Sequence, residues 1–189
     1  MGREKKLKLF GPMGLKGMAQ SIVKAYKQDI NYRINGTQPA NKTGYMYEFT
    51  KLKEGLVYKD ENIEVEAFKV NHGDFNDAFG FRFTSTDKVI VFSGDTGPSK
   101  ELEKYAANAD ILVHEVYSHA GFLKKTKAWQ KYHKAHHTST FEIGKIAQRI
   151  KPNLLILSHI LFWGSSPDEI LQEVKSVYDG HVVIANDLM

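Results

Sequence analysis

The chain has 189 residues, 42% hydrophobic and 25% charged, with a formal net charge of +4. That balance is ordinary for a soluble globular protein, and the length reads as a single domain over residues 1–189 with a core of its own. The charge mildly favours anionic substrates but is too small to argue a nucleic-acid binder by itself. With no cysteine, disulfides and thiolate ligands are excluded, so histidine and carboxylate must hold any metal.

The missing cysteine fits a reducing compartment, and a cytoplasmic location is the expectation. No apolar run approaches the ~18 residues of a membrane span, and no signal-peptide core opens the sequence.

In chain order, Lys6 to Phe10 read as a strand, and Gly11-Pro12 turn into a helix over Gly14 to Gln28. Leu15, Met18, Ile22 and Ala25 recur there at helical spacing. A loop rich in Asn and Gly follows over Asn31 to Gly44, with Arg33 and nearby tyrosines as pocket candidates. Strands are expected at Met46–Leu52, Leu56–Lys59, Ile63–Val70, Phe79–Thr84 and Val89–Phe92, joined by short turns. From Pro98 the pattern changes. Helices over Ser99–Ala107, Ser139–Ile150 and Pro167–Tyr178 alternate with strands at Ile111–Val113, Leu154–Leu157 and His181–Ala185. Ser139-Thr-Phe-Glu142 and Ser166-Pro-Asp-Glu169 are capping boxes. Strands first and βαβ afterwards make a layered α/β domain.

The strand Val89–Phe92 runs through Ser93-Gly94 into Asp95, and three other apolar runs stop at His72, His114 and His159. If these strands share a sheet, their ends meet on the rim where α/β folds keep their chemistry. A fifth residue, His137, precedes a capped helix. Any one of these histidines is more often structural than catalytic. Five polar residues ending apolar elements are the donor set that suits zinc or manganese, with Asp95 anchoring a divalent site.

The ordered runs Phe68-Lys-Val-Asn-His72-Gly, Phe79-Gly-Phe-Arg, Val91-Phe-Ser-Gly-Asp95-Thr, Leu112-Val-His114-Glu115, His137-Thr-Ser-Thr and Leu157-Ser-His159 resemble the metallo-β-lactamase superfamily, its ribonuclease Z-like branch above all. The resemblance implies the C-terminal part of a four-layer αββα sandwich. It also implies two zinc ions in a complete site, with manganese as the alternative. On it, His72 and His159 are metal ligands and Asp95 bridges two metals. His114 and Glu115 form the supporting His-Glu pair, and His137 approaches the scissile phosphate. A helix N-terminus beside His137 suits anionic oxygen. The implied reaction is attack of a metal-bound hydroxide on a phosphodiester or other ester.

One departure stands out. The superfamily's His-x-His-x-Asp-His motif, which supplies four of seven ligands, is absent from the 189 residues. An N-terminally truncated domain is the favoured expectation; a partner chain supplying the ligands and an inactive, partner-binding domain are the alternatives.

Between the His114 and His137 motifs, Gly121 to Lys134 interleaves lysines with aromatics. Lys124 and Lys125 could attract an anionic substrate and Trp129 could stack on it, as a lid; a solvated loop is the plainer reading. His133 and His137 are spaced i, i+4, but the segment reads as a connection, a poor platform for ligands. The turn Phe83–Val89 is too short for the arm with which ribonuclease Z grips transfer RNA, which favours a small anionic ester or phosphodiester over RNA. A homodimer is the protein assembly the reading admits, and no membrane partner is expected.

Overall fold

A computed structural model describes residues 3–38 and 40–188. Pro39, counted in the predicted loop over 31–44, lies outside the described residues. The chain divides into two compact units, residues 1–53 and 54–189.

In the first unit, β1 (Leu7–Gly11) pairs in parallel with β2 (Tyr47–Lys51). Parallel neighbours need a crossover, and two helices provide it: α1 (Met13–Ala25) and α2 (Lys27–Asn35). The single helix expected over 14–28 is therefore interrupted at Tyr26, and the helical segment runs on into the predicted loop. Helix α2 lacks an apolar stripe and buries none of its residues, which is why periodicity misses it. Side chains four residues apart brace it instead: Arg33 Nε donates to Asp29 at 2.7 Å, and Asn35 donates to Asn31 at 2.7 Å. The return loop is an Asx turn in which Asn41 Oδ1 accepts the Thr43 and Gly44 amides.

The second unit is built on a seven-stranded sheet in the order β3 (Gly55–Lys59), β4 (Ile63–Lys69), β5 (Phe79–Ser85), β6 (Val89–Phe92), β7 (Ile111–Tyr117), β8 (Leu154–Leu161) and β9 (Val182–Ile184). Strands β3 to β6 form an antiparallel meander, and β6 to β9 run parallel. Because β4 and β6 are both antiparallel to β5, the ends of β4, β6, β7 and β8 fall on one rim. Helices α3 (Lys100–Ala106), α6 (Thr140–Ile150) and α7 (Pro167–Lys175) pack on this unit. Their stripes, among them Leu102, Ile143, Ile146, Ile170 and Val174, bury against Phe68, Leu112, Val116, Leu155 and Leu157 of the sheet. Both capping boxes form as read from the sequence, Ser139 with Glu142 and Ser166 with Glu169.

Three expectations change. Strand β7 continues four residues past Val113, so His114 lies inside the strand, fully buried, rather than at its end. Strand β8 likewise runs past Leu157. The basic segment predicted as a loop is helical, with α4 (His119–Leu123) capped by Ser118 and α5 (Lys127–His136) capped by Thr126. Its stripe consists of Trp129, Tyr132, His133 and His136, at i, i+3, i+4 and i+7. Amphipathic aromatic and imidazole rings supply it in place of aliphatic residues. No helix of the described residues is long and apolar enough to cross a membrane.

Candidate metal centre

Two glycines shape the approach to the rim. Gly94, with φ +62°, turns the chain out of β6 towards Asp95, and a Cβ there would lie 2.7 Å from the Phe79 carbonyl oxygen. Gly73, with φ +54°, follows His72; a Cβ there would meet the His136 ring at 2.0 Å. Only glycine combines that conformation with that approach.

The loops after β4 and β6 are tied together. The Asn71 amide donates to Thr96 Oγ1 at 3.1 Å, and the Gly97 amide donates to the Asn71 carbonyl at 2.6 Å. A third segment joins them through Thr138, whose hydroxyl donates to the Thr96 carbonyl at 2.6 Å.

Beneath these loops lies Glu115, a carboxylate on β7 with 2% exposure. Its Oε1 accepts the Thr138 amide at 2.9 Å and the Thr96 amide at 3.3 Å. Its Oε2 lies 3.4 Å from Nδ1 of the buried His137. Those two atoms are buried and have no hydrogen-bond partner. A protonated Nδ1 facing the carboxylate leaves His137 Nε2 as a lone-pair donor, the usual arrangement behind a metal-ligating histidine.

His159 arrives by a different device. Glu115 pairs with Ser158 and Val116 with Ile160, so His159 is the extra residue of a β-bulge in β8. Its φ of +43° is left-handed, a strained conformation for a residue with a Cβ. Bulges of this kind re-aim side chains beside functional sites. His159 Nε2 ends 3.6 Å from Asp95 Oδ2, and the His137 and His159 rings stack with centroids 5.9 Å apart.

Asp95, His137 and His159 thus each offer a ligand atom within 4.8 Å of the others. Two imidazoles and a carboxylate are a donor set that fits zinc or manganese. His72 stands beside this group, its ring 5.3 Å from that of His137. Its Nδ1 is 2.9 Å from the His136 carbonyl, which accepts the Nδ1 proton and leaves Nε2 as the donor atom. His72 and Asp95 also line a shallow recess of about 290 Å³.

The remaining expected residues take varied places. His114 contacts no solvent; burial holds its imidazole below the ordinary value. It is therefore a supporting side chain beside Glu115. Lys124 follows α4 and is exposed, Lys125 Nζ lies 4.8 Å over the Trp163 ring, and Trp129 is 55% exposed on α5. His133, set aside above as a ligand, stacks on Trp129 and lies 4.4 Å from the Trp163 ring. Burial, with His137, Lys125 and His136 as neighbours, lowers its pKa. The i, i+4 spacing to His137 is its sequence signal: His133 lies on α5, and His137 is the extended residue that caps it, its amide donating to the His133 carbonyl at 2.8 Å. Thr96 and Thr138, each directly after a rim residue, carry the loop-tying bonds.

Comparison with known proteins decides the family. Residues 16–160 match the model of the beta-lactamase superfamily domain. The chain belongs to the metallo-β-lactamase superfamily. It is a ribonuclease Z-like member: it is 26% identical over 186 residues to ribonuclease Z of Mycolicibacterium gilvum, covering 96% of this chain and 64% of that protein. It is 25% identical to ribonuclease Z of Bacillus velezensis, covering 100% of this chain and 71% of that protein. Among solved structures, the metallo-β-lactamase fold protein YhfI of Bacillus subtilis matches with a TM-score of 0.66 at 18% identity, over 97% of this chain and 63% of that one. Human tRNase Z, short form, matches with a TM-score of 0.65 at 18% identity, over 98% and 66%. The chain therefore spans about two thirds of the length of these proteins.

Proposed function

We propose that this chain forms one wall of a metal-dependent hydrolase site acting on a phosphodiester or related anionic ester. The single observation behind the reading is the convergence of Asp95, His137 and His159, backed by the buried Glu115 carboxylate. In this reading Asp95, His137 and His159 hold metal, with His72 presenting Nε2 from the neighbouring loop. Ligands outside these 189 residues complete a pair of ions in this reading. Bound zinc or manganese would supply Lewis acidity and an acidified water.

The chain's own groups do the rest. Glu115 fixes the His137 proton on Nδ1 and aims the ring. Its Nε2 is thereby left to face the metal, and the N-terminal side of α6 beside it favours a phosphoryl oxygen. Lys124 and Lys125 attract the anion electrostatically, and Trp129 on α5 offers an exposed ring for an aromatic group of the substrate.

A second reading, a transfer-RNA 3′-end endonuclease, draws on the names of the relatives. Against it stands the β5–β6 connection, closed by a Ser85 amide bond to the Lys88 carbonyl at 2.9 Å, which has no room for a tRNA-gripping arm. A chromogenic phosphodiester and a pre-tRNA, each offered to the zinc-loaded protein with its missing ligands supplied, test the choice. Turnover of the chromogenic ester that Asp95→Asn abolishes is the expected result. Cleavage of pre-tRNA alone supports the second reading, and turnover of neither sinks both.

A further inference from the structure

One carboxylate outside the metal cluster joins three helices. Glu173 lies on α7, and its Oε1 accepts the Ala120 amide at 2.9 Å. Its Oε2 accepts the His119 amide at 3.0 Å and the Thr140 hydroxyl at 2.6 Å. His119 and Ala120 open α4, and Thr140 opens α6. All three groups are donors, so the position calls for an acceptor-only carboxylate. An amide there would set its NH2 against a backbone N–H or turn the hydroxyl round.

The two ends that Glu173 holds enclose an excursion, residues 119–140, which leaves β7 and returns at α6. Inside it α4 buries only Gly121 and α5 buries no residue, so packing pins it weakly. The excursion nevertheless carries groups of the metal centre. The His136 carbonyl faces His72 Nδ1 at 2.9 Å, the Ala135 carbonyl accepts the Gly73 amide at 3.0 Å, and His137 is part of it. Backbone bonds from the Tyr117 and Ser118 amides to the Thr138 and Leu161 carbonyls, at 2.9 and 3.1 Å, hold its base. Glu173 takes up the next two amides beyond them, the orphan donors of the first turn of α4.

We infer that Glu173 is a positioning residue for the metal centre: it clamps both ends of the excursion and so holds the His136 carbonyl against His72 and His137 beside Asp95 and His159. The inference rests on the metal-site reading and extends that site to a side chain on α7.

Glu173→Gln and Thr140→Val in the full chain test it, with Ser166→Ala as the control. Ser166 Oγ accepts the Glu169 amide as the N-cap of α7, so its loss weakens that helix and removes no bond to the excursion. The readouts are zinc calorimetry, nitrogen-15 imidazole spectra and amide hydrogen exchange. Glu173→Gln should lower zinc affinity about tenfold and move the His72 and His137 imidazole signals. It should also speed exchange over residues 119–136, while the amides of α7 keep their protection. Thr140→Val, which removes one donor of the three, should move the same signals less. Ser166→Ala should leave zinc affinity and both imidazoles as in the parent. Zinc affinity and imidazole signals unchanged by Glu173→Gln overturn the inference. An equal loss of zinc affinity in Ser166→Ala also overturns it, since the effect is then general destabilisation. A parent chain that binds no zinc fails the metal reading instead, and the imidazole and exchange signals still decide the role of Glu173.

Discussion

His137 Nδ1 and Glu115 Oε2 lie 3.4 Å apart in the interior, and neither has a hydrogen-bond partner among the described residues. The other oxygen of the same carboxylate holds the Thr96 and Thr138 amides. Glu115 therefore does two separable things: Oε1 builds the loop junction and Oε2 orients an imidazole.

Glu115→Gln separates them. A glutamine keeps an oxygen for the two amides, so the fold should survive with a loss of about 1–3 kcal/mol from the weaker, uncharged acceptor. Without the carboxylate facing Nδ1, zinc affinity should fall about 10–100-fold. Urea unfolding and zinc calorimetry on one preparation measure both. A variant with full zinc affinity would mean that His137 is not oriented through Glu115.

The same junction depends on backbone that tolerates no side chain. Gly73→Ala drives a Cβ into the His136 ring at a positive φ, and should destabilise the chain by about 1–3 kcal/mol. Gly17, inside α1 with nothing within 4 Å of a Cβ, is the contrast. Gly17→Ala should stabilise by about 0.5–1 kcal/mol through helix propensity. Chemical denaturation reads both, and equal effects would contradict the packing assigned to Gly73.

Much of this was legible in the residues. The rim followed from apolar runs ending at His72 and Asp95, because β4 and β6 are short strands bounded by glycine-containing turns. His114 misled, because Val116 and Tyr117 are good strand residues and carry β7 through it. The bulge at His159 left no mark in Leu-Ser-His-Ile, since register is set by the partner strand. Helix α5 escaped because its stripe is Trp129, Tyr132, His133 and His136, residues that read equally well as exposed decoration. The bond from His136 to His72 joins residues 64 apart, and no local pattern reports it.

Acid sensitivity follows from His114. Burial lowers its folded-state pKa below the ordinary 6.5, against smaller raising effects from the charge and carbonyl of Glu115. Below the unfolded value the unfolded chain therefore binds more protons than the native one, and stability falls as the pH drops through about 6.5. The loss levels off only once the folded-state group titrates. His133, also lowered, acts in the same direction. Urea unfolding at pH 7.5, 6.5 and 5.5 should show this decline. His114→Asn, which keeps a donor for the Glu115 carbonyl but cannot titrate, should flatten the slope. An unchanged slope would assign the decline to other groups.

The central claim is that Asp95, His137 and His159 form a metal site. Equilibrium dialysis of the chain against zinc, with the bound metal counted by elemental analysis, tests it most directly. The prediction is saturable binding that Asp95→Ala and His159→Ala each weaken at least tenfold, with Lys145→Glu as an unaffected control. Zinc binding that survives both substitutions unchanged, or no binding at all, would contradict it.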